Sequence, residues 1–575
     1  MLGTTLYEYI FILTSISLLR LVAPTSFLYL LSCLYTKSFT LNGATPPWIF
    51  LLALFESFFY LFVYVPRKKA LQKVLWQFGL CDQFVDFVQS VYTAPPLNRE
   101  QREALFLRCS KHISFSVTES TPNKLSSTYP NGWFLTPNPR STPNPRLKRE
   151  NLIEWILWAL FSCNPHEAKD SWKDEIDGYV RQIEGITKVK FENGRDEGMK
   201  ALRLTLDEVK MVHRPLVWYI IVALVDLITS IKLYTMNFYQ YSSPTHPQFF
   251  PPRLFSIFST PSPSVTDHFS YWYRPHKSSD RDPIVFIHGI GIGLHPYIPF
   301  LQDLIQLDPD QGILLIELLP VSMHICSSTS IPPRREMLDA IYTTMHSLGI
   351  SRAVLASHSY GTIIAAHVIR DSQETNHKSN TEHNQTSTEF SSPQIFFTSH
   401  LLIDPIPILL HLPAVAFNFL YRVPREANEW QLWYFASRDP DVAYTLGRCF
   451  FWAEGVLWRE DFGVGVDVEP HESRPTNQTS KVQFAIILSG KDQIVPAPLV
   501  RKYLTGEDEV KERWLSGSNV NSHSSDSDTD NDNDSNSLEV LYYPTLDHAM
   551  VFDTEERRRG MIRVLDRLTR LGGRG

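Results

Sequence analysis

The chain has 575 residues, of which 43% are hydrophobic and 20% are charged, and its formal net charge at pH 7 is -7. A chain of this length suffices for one large domain with insertions, or for roughly three to four average domains. The negative charge argues against a general nucleic-acid-binding protein. The six cysteines form no C-x-x-C pair, so neither a disulfide framework nor a cysteine-type zinc site is indicated.

The first 70 residues predict a membrane anchor. Residues 48–65 are almost wholly apolar, and their length is close to the ~20 residues that cross a bilayer. The basic residues 67–69 follow at once and place the rest of the chain in the cytosol by the positive-inside rule. Residues 9–35 form an earlier apolar stretch that contains Pro24, which is compatible with a kinked span or with two half-segments in the interface. The alternative for the whole region is a helical hairpin packed on a soluble domain.

Residues 71–265 predict a mostly helical region. Apolar residues recur at helical spacing between residues 152 and 160. A third apolar run, residues 216–231, is slightly short for a span and contains Asp226. We expect it to form a buried or interfacial helix rather than a span.

Residues 266–575 change in character, because short apolar runs now alternate with helical patterns. Strands that helices cover on both faces read as continuous apolar runs, so the pattern predicts an α/β domain with a mostly parallel sheet. The candidate strands are residues 284–287, 313–316, 353–356, 401–403, 484–488 and 540–543. Two polar inserts, residues 372–393 and 516–537, predict disordered surface loops. The second is acidic but lacks EF-hand spacing, so it predicts no calcium site.

Residues 357–361, Ser-His-Ser-Tyr-Gly, lie between an apolar run and a helical pattern. A serine at such a strand-turn-helix elbow is held in a strained backbone with its oxygen clear of the sheet. Ser359 is therefore the candidate nucleophile. The usual pattern is G-x-S-x-G, and Ser357 stands at the first glycine position.

A second motif follows the predicted strand at residues 284–287, where His288 and Gly289 open a glycine-rich turn. Such a turn can direct backbone N–H groups at an oxyanion. The N–H groups of Ile290 and Tyr360 are the candidate pair. A nucleotide-binding turn is the alternative, but the glycines recur at every second position and not as G-x-G-x-x-G.

Two further residues complete a candidate catalytic site. Asp492 follows the predicted strand at residues 484–488, where a carboxylate can orient an imidazole and stabilise its cation. Asp404 ends the strand at residues 401–403 and is the rival acid, although the Pro405 that follows it suits a structural turn. His548 follows the last predicted strand and can act as general base toward Ser359, whereas its neighbour Asp547 is expected to point elsewhere.

The order serine, aspartate, histidine is that of α/β-hydrolases, and residues 280–571 resemble that superfamily in residues 285–289, 357–361, 490–496 and 547–548. The whole chain resembles a group of uncharacterised membrane-associated fungal α/β-hydrolases. The resemblance implies an eight-stranded, mostly parallel sheet flanked by helices and acyl transfer through an acyl-enzyme. It also implies a cap inserted at about residues 405–480, a segment rich in aromatic residues.

The expected function is hydrolysis of carboxylic esters, with a lipophilic or lipid substrate, by an enzyme held at the bilayer. A thioesterase, a peptidase or an acyltransferase would use the same three residues, and a catalytically silent membrane scaffold is the alternative from another class. No cofactor and no metal is expected, since no H-E-x-x-H motif occurs. The sequence leaves the oligomeric state open.

Overall fold

The computed structural model describes residues 3–39, 45–72, 97–117, 132–135, 146–243, 249–326, 331–382, 395–464, 482–516 and 538–572. Most of the two predicted polar inserts lies outside these residues, as does the end of the predicted cap.

A sheet of ten strands dominates the fold. The strands are numbered β1 to β14 in chain order, and four short ones lie outside this sheet. The ten strands of the sheet have the spatial order β13-β14-β12-β11-β10-β7-β8-β6-β3-β5. They are β3 (Tyr239–Ser242), β5 (Ser262–Pro263), β6 (Ser270–Arg274), β7 (Ile284–Ile287), β8 (Ile313–Glu317), β10 (Arg352–His358), β11 (Phe396–Ile403), β12 (Gln483–Ser489), β13 (Arg513–Leu515) and β14 (Leu538–Tyr543). The other four form two small antiparallel pairs, β1 (Phe134–Leu135) with β2 (Lys200–Ala201), and β4 (Phe249–Phe250) with β9 (Ile325–Cys326).

The six central strands pair in parallel, and their spatial order is β14-β12-β11-β10-β7-β8. Strands β6 and β13 run antiparallel to their neighbours. This is the mostly parallel sheet of an α/β-hydrolase fold, and the prediction of fold class is confirmed. The sheet has two strands beyond the eight expected, because the short strands β5 and β13 extend its two edges.

Alternate residues of each central strand face two separate apolar cores. In β7, Val285 and Ile287 belong to one core, and Ile284 and Phe286 belong to the other. The second core is covered by the helices Ile298–Leu307 and Glu555–Gly572. Burial on both faces is the physical reason why these strands read as unbroken apolar runs.

The remaining helices of eight residues or more cover the first core, extend the cap or lie in the N-terminal region. They are Leu6–Thr36, Pro47–Phe59, Val65–Gln72, Arg99–Val117, Arg149–Phe161, Lys173–Thr187, Leu216–Thr235, Arg334–Ser347, Gly361–Glu382, Pro440–Arg448 and Ala497–Thr505. Shorter helices in the cap are Ala414–Ala416, Ala427–Leu432 and Trp452–Gly455, and π-helical turns at Phe417–Tyr421 and Trp433–Ser437 continue two of these helices.

Three helices of the N-terminal region are long and apolar enough to cross a membrane: Leu6–Thr36, Pro47–Gln72 and Leu216–Thr235. The first is one helix with Pro24 inside it, and not two half-segments. The second passes through a π-helical turn, Tyr60–Tyr64, before it reaches the basic residues.

The charged residues of these helices are paired where they meet the rest of the protein. The buried Glu56 accepts hydrogen bonds from His213 Nε2 at 2.9 Å and from the Leu216 N–H at 2.8 Å. A carboxylate at that position accepts a hydrogen bond from a free N–H at the start of the third helix, and its negative charge interacts favourably with the positive end of the helix dipole. Arg67 forms an ion pair with the buried Asp441.

The third helix, Leu216–Thr235, was expected to be buried or interfacial, and it is only half buried. Its inner face binds the domain, with Asp226 Oδ2 at 2.7 Å from His324 Nε2. Its outer face exposes Ile220, Leu224 and Ile231 to 56%, 49% and 46%. The described part of the protein therefore covers only one face of this helix.

Two further expectations need correction. The sheet begins at β3 and not beyond residue 266, because β3 pairs with β6 through Tyr239 and Tyr273. The segment predicted to be disordered from residue 372 begins as helix, since Gly361–Glu382 continues to residue 382. Contacts on both sides hold that helix: Arg334 pairs with Glu374 at 2.9 Å and Gln373 donates to the Asp461 carbonyl at 3.1 Å.

Candidate functional site

Ser359 lies at a sharp turn between β10 and the helix Gly361–Glu382. Its φ is +52°, in the left-handed region that a side chain rarely adopts, and its N–H donates to the Ile403 carbonyl of β11 at 3.0 Å. Gly361 permits the turn, because a Cβ there would lie 2.4 Å from the Ile287 carbonyl oxygen. The elbow that the sequence indicates is thus a strained turn fixed by two neighbouring strands.

Three side chains at strand ends form a continuous hydrogen-bonded row. Ser359 Oγ lies 2.8 Å from His548 Nε2, and His548 Nδ1 lies 2.7 Å from Asp492 Oδ2. Asp492 Oδ1 accepts the N–H groups of Ile494 and Val495 at 2.7 and 2.9 Å. These are the distances at which a serine can pass its proton to an imidazole that a carboxylate orients.

Asp404 occupies a different position beside the same histidine. Its two oxygens accept from Ser489 N at 2.9 Å, Ser489 Oγ at 3.1 Å and Ala549 N at 2.8 Å. It therefore braces the backbone that follows His548 and the end of β12, and it makes no hydrogen bond to the His548 ring. Asp404, Asp492 and His548 are also the group of potential metal ligands found among the described residues, but each of the three side chains is already hydrogen-bonded within the protein.

The electrostatics of His548 follow from these neighbours. Burial disfavours protonation of the ring, but the charge and hydrogen bond of Asp492 outweigh it and raise the pKa of His548 to about 9, with smaller contributions from Asp404 and Asp547. Burial, together with the charge of Asp492, raises the pKa of Asp404 to about 6. The site therefore stabilises the imidazolium that proton transfer from Ser359 would create.

Asp547 does not point away from the site. Its Oδ1 accepts the N–H groups of His548 at 2.7 Å and Gln493 at 2.8 Å, and its Oδ2 accepts Asn428 Nδ2 at 2.7 Å. Sequence reasoning missed this junction, since no motif links Asn428 to the two loops. The one available signal was an acidic residue directly before the candidate histidine.

The turn after β7 lies directly against the elbow. A Cβ on Gly289 would lie 2.7 Å from Ser359 Cβ, so only glycine fits there. The buried His288 ties the turn to its surroundings, because its Nδ1 bonds the Gly289 carbonyl at 2.7 Å and its Nε2 accepts the Leu318 N–H at 3.0 Å. Burial lowers the pKa of His288, which keeps the ring neutral for these two roles.

The same turn is joined to the elbow by a tyrosine. The Gly289 N–H donates to Tyr297 Oη at 3.1 Å, and Tyr297 Oη lies 2.8 Å from His358 Nδ1. The N–H groups of Ile290 and Tyr360, by contrast, donate to no protein acceptor in the described part of the chain. Both residues line the pocket into which Ser359 opens.

That pocket is apolar. It holds about 610 Å³ of empty space, a volume that includes its open mouth. Besides Ser359, its walls are Trp133, Trp158 and Leu204 from the N-terminal region, Ile290 and Tyr360 from the two turns, Ile406, Leu410, Val415, Ala416, Phe419, Leu420, Leu446, Phe450 and Trp452 from the segment after β11, and Ile494 from the loop of Asp492. Two indole N–H groups fix the first wall: Trp158 donates to Thr205 Oγ1 and Trp133 to the His411 carbonyl, each at 3.0 Å.

Ser357, the departure from the usual elbow pattern, is a buried small residue two positions before the nucleophile. It lies within β10, paired with Ile287 and Leu402, and is fully buried. Its hydroxyl has no hydrogen-bond partner among the described residues. The turn itself does not use the first position of the motif, since the left-handed residue is Ser359.

No family model and no curated protein sequence matches the chain. Solved structures do resemble it at low scores. A Bacillus subtilis carboxylesterase, CesB, is 8% identical and covers 60% of this chain and 98% of its own, with a TM-score of 0.32. A bacterial membrane phospholipase A is 11% identical over 61% of this chain and 94% of its own, with a TM-score of 0.32. An α/β-hydrolase from a deep-sea metagenome is 12% identical over 52% of this chain and 95% of its own, with a TM-score of 0.30. Likenesses at these scores carry no functional argument.

Proposed function

We propose that this protein is a membrane-associated serine hydrolase of lipophilic carboxylic esters, with Ser359, His548 and Asp492 as nucleophile, general base and orienting acid. The observation that carries the proposal is the hydrogen-bonded row from Ser359 Oγ to His548 Nε2 and from His548 Nδ1 to Asp492. Asp404 is the structural carboxylate of the site.

In the proposed reaction, Ser359 Oγ attacks the ester carbonyl carbon while His548 Nε2 takes the hydroxyl proton. The N–H groups of Ile290 and Tyr360 hold the oxyanion of the tetrahedral intermediate, and one such donor stabilises the transition state by ~3–4 kcal/mol. His548 then donates its proton to the leaving alcohol, which gives the acyl-enzyme. Water, deprotonated by His548, releases the acid and restores Ser359.

Two observations support a lipophilic substrate and a membrane location. The pocket beside Ser359 is lined almost entirely by apolar side chains. The three candidate spans carry exposed apolar faces, and Ile292 of the turn after β7 packs against the cluster of Phe59 and Trp218 from two of them. The candidate oxyanion turn thus contacts the pocket through Ile290 and the helices suited to lipid through Ile292.

The basic cluster at residues 67–69 supports a catalytic domain on the cytosolic side. The sequence contains three N-x-[ST] sequons, at Asn384, Asn477 and Asn533. We expect none to be glycosylated, and a mass loss on endoglycosidase treatment of the native protein would contradict this orientation.

Covalent labelling with a fluorophosphonate tests the chemistry without knowledge of the substrate. The membrane-bound wild-type protein should label at one site, and Ser359→Ala should not label at all. Ser357→Ala is the matched control, because it removes a buried serine hydroxyl two residues away that has no hydrogen-bond partner in the described part of the chain. A folded wild-type protein that takes up no probe would overturn the hydrolase proposal in favour of a silent scaffold. Esters of increasing acyl length would then define the substrate class.

A further inference from the structure

Asp547 joins three separate parts of the molecule at the base of the candidate histidine. Its side chain holds the N–H of His548 and the N–H of Gln493, one residue beyond Asp492. It thereby fixes the spacing between the loop that carries the base and the loop that carries the acid. The third partner, Asn428, comes from the cap.

Asn428 is aimed at Asp547 by its own helix. It lies near the start of Ala427–Leu432 and is 7% exposed. Its Oδ1 accepts the Glu429 N–H at 2.9 Å, which turns its Nδ2 toward Asp547. A second contact runs alongside, since Arg422 Nη2 donates to Gln493 Oε1 at 3.3 Å.

The short helix Ala427–Leu432 is also the surface on which the first candidate membrane span, Leu6–Thr36, packs. Ile12 and Ile16 of Leu6–Thr36 are each 3% exposed and form one apolar cluster with Ala427 and Tyr434. Ala427 is the chain neighbour of Asn428, so the contact with the membrane helix and the hydrogen bond to Asp547 are one residue apart. A shift of Leu6–Thr36 against the cap would move Asn428 directly.

We propose that Asn428 is a positioning residue for His548, and that the packing of the helix Leu6–Thr36 on Ala427 sets this position. The inference rests on the proposed function. Asn428 acts through Asp547: it holds the backbone of His548 so that the ring faces both Asp492 and Ser359. The helix Leu6–Thr36 thereby helps to position His548, in addition to holding the protein at the membrane.

The test is the rate constant of fluorophosphonate labelling of the full-length, membrane-bound protein, measured against pH. Asn428→Ala should slow labelling on the order of tenfold, because misplaced catalytic groups lose rate steeply. It should also lower the midpoint of the pH profile toward the ordinary histidine value of 6.5, since a ring displaced from Asp492 loses the interaction that raises its pKa. The other ionisable groups near the ring, Asp404, Asp547 and the neutral His358, are all retained in this variant, and of these three Asp547 is the one that loses its hydrogen bond from Asn428.

A matched pair on the membrane helix tests the second half of the proposal. Ile16→Ala removes a buried contact with the cap and should slow labelling in the same direction. Ile10→Ala removes a side chain that is 57% exposed on the same helix and should leave the rate unchanged. If Asn428→Ala does not fold, the difference in labelling rate between Ile16→Ala and Ile10→Ala tests the inference on its own.

A labelled wild-type protein whose rate and pH midpoint are the same in Asn428→Ala and in Ile16→Ala would overturn the inference and leave the proposed function standing. If a variant loses folded protein but the remaining folded fraction keeps the wild-type midpoint of the pH profile, the inference is also overturned, because a purely structural role would give that result. Absence of labelling in the wild type would overturn the proposed function itself.

Discussion

The ends of β11 and β12 each present a buried aspartate within reach of the same histidine loop, and the two carboxylates do different things. Asp492 meets the imidazole Nδ1 at 2.7 Å, whereas Asp404 meets the N–H of Ala549 at 2.8 Å and the end of β12. One carboxylate holds the ring and the other holds the backbone beneath it. Strand-end position alone thus does not distinguish the two aspartates, whereas the atom from which each carboxylate accepts a hydrogen bond does.

The largest effect that separates the two aspartates is expected from Asp492→Asn. An amide cannot stabilise the imidazolium, and it can hold the ring in the wrong tautomer. We expect the labelling rate of Ser359 to fall on the order of 10⁴-fold, the loss typical of this change in a triad. A fall of less than tenfold in folded protein would mean that Asp492 does not orient His548.

The pH profile of labelling is the second comparison. The neutral imidazole is the reactive form, and Asp492 raises the pKa of His548 to about 9. The wild-type rate should therefore climb through pH 7 and 8, about tenfold per pH unit below the pKa. In Asp492→Asn the residual rate should level off nearer 6.5, and a wild-type profile that is flat above pH 6.5 would contradict the assignment.

The smallest effect on rate is expected from Asp404→Asn. Three donors converge on its two oxygens, and an amide cannot accept all of them, so the free energy of unfolding should fall by about 1–3 kcal/mol. The labelling rate should stay within about tenfold of the wild type, since the His548–Asp492 contact is untouched. Denaturant unfolding and labelling of the same samples measure both, and a rate loss as large as that of Asp492→Asn would exchange the roles of the two residues.

Much of the sheet could be predicted from the sequence, because a strand buried on both faces needs a run of apolar residues. The runs at residues 284–287, 313–316 and 484–488 correspond to β7, β8 and β12. Strands β3, β5, β6 and β13 were missed. The short strands β5 and β13 form the two edges of the sheet and β3 lies next to β5, while β6 is buried but carries a serine and an arginine instead of an unbroken apolar run. A pattern of burial predicts only strands that are buried.

The residues of the candidate site also fall into those that local sequence patterns indicate and those that only the tertiary structure brings together. Ser359, Asp492 and His548 are found from local motifs, because each follows a strand whose end the sequence marks. Asn428 and Gln493 are not found, since their partner Asp547 is distant from Asn428 in the chain and no spacing rule connects them. The tryptophan wall of the pocket, Trp133 and Trp158, was missed for the same reason.

The sequence by itself determined the α/β class of the domain, the apolar character of the N-terminal helices and the residue types of the candidate site, because burial, helical period and turn chemistry act over a few neighbouring residues. Only the tertiary structure decided which aspartate meets the imidazole, which face of Leu216–Thr235 stays exposed, and that the helix Leu6–Thr36 packs on Ala427, the chain neighbour of Asn428. Those outcomes depend on contacts between segments that are far apart in the chain.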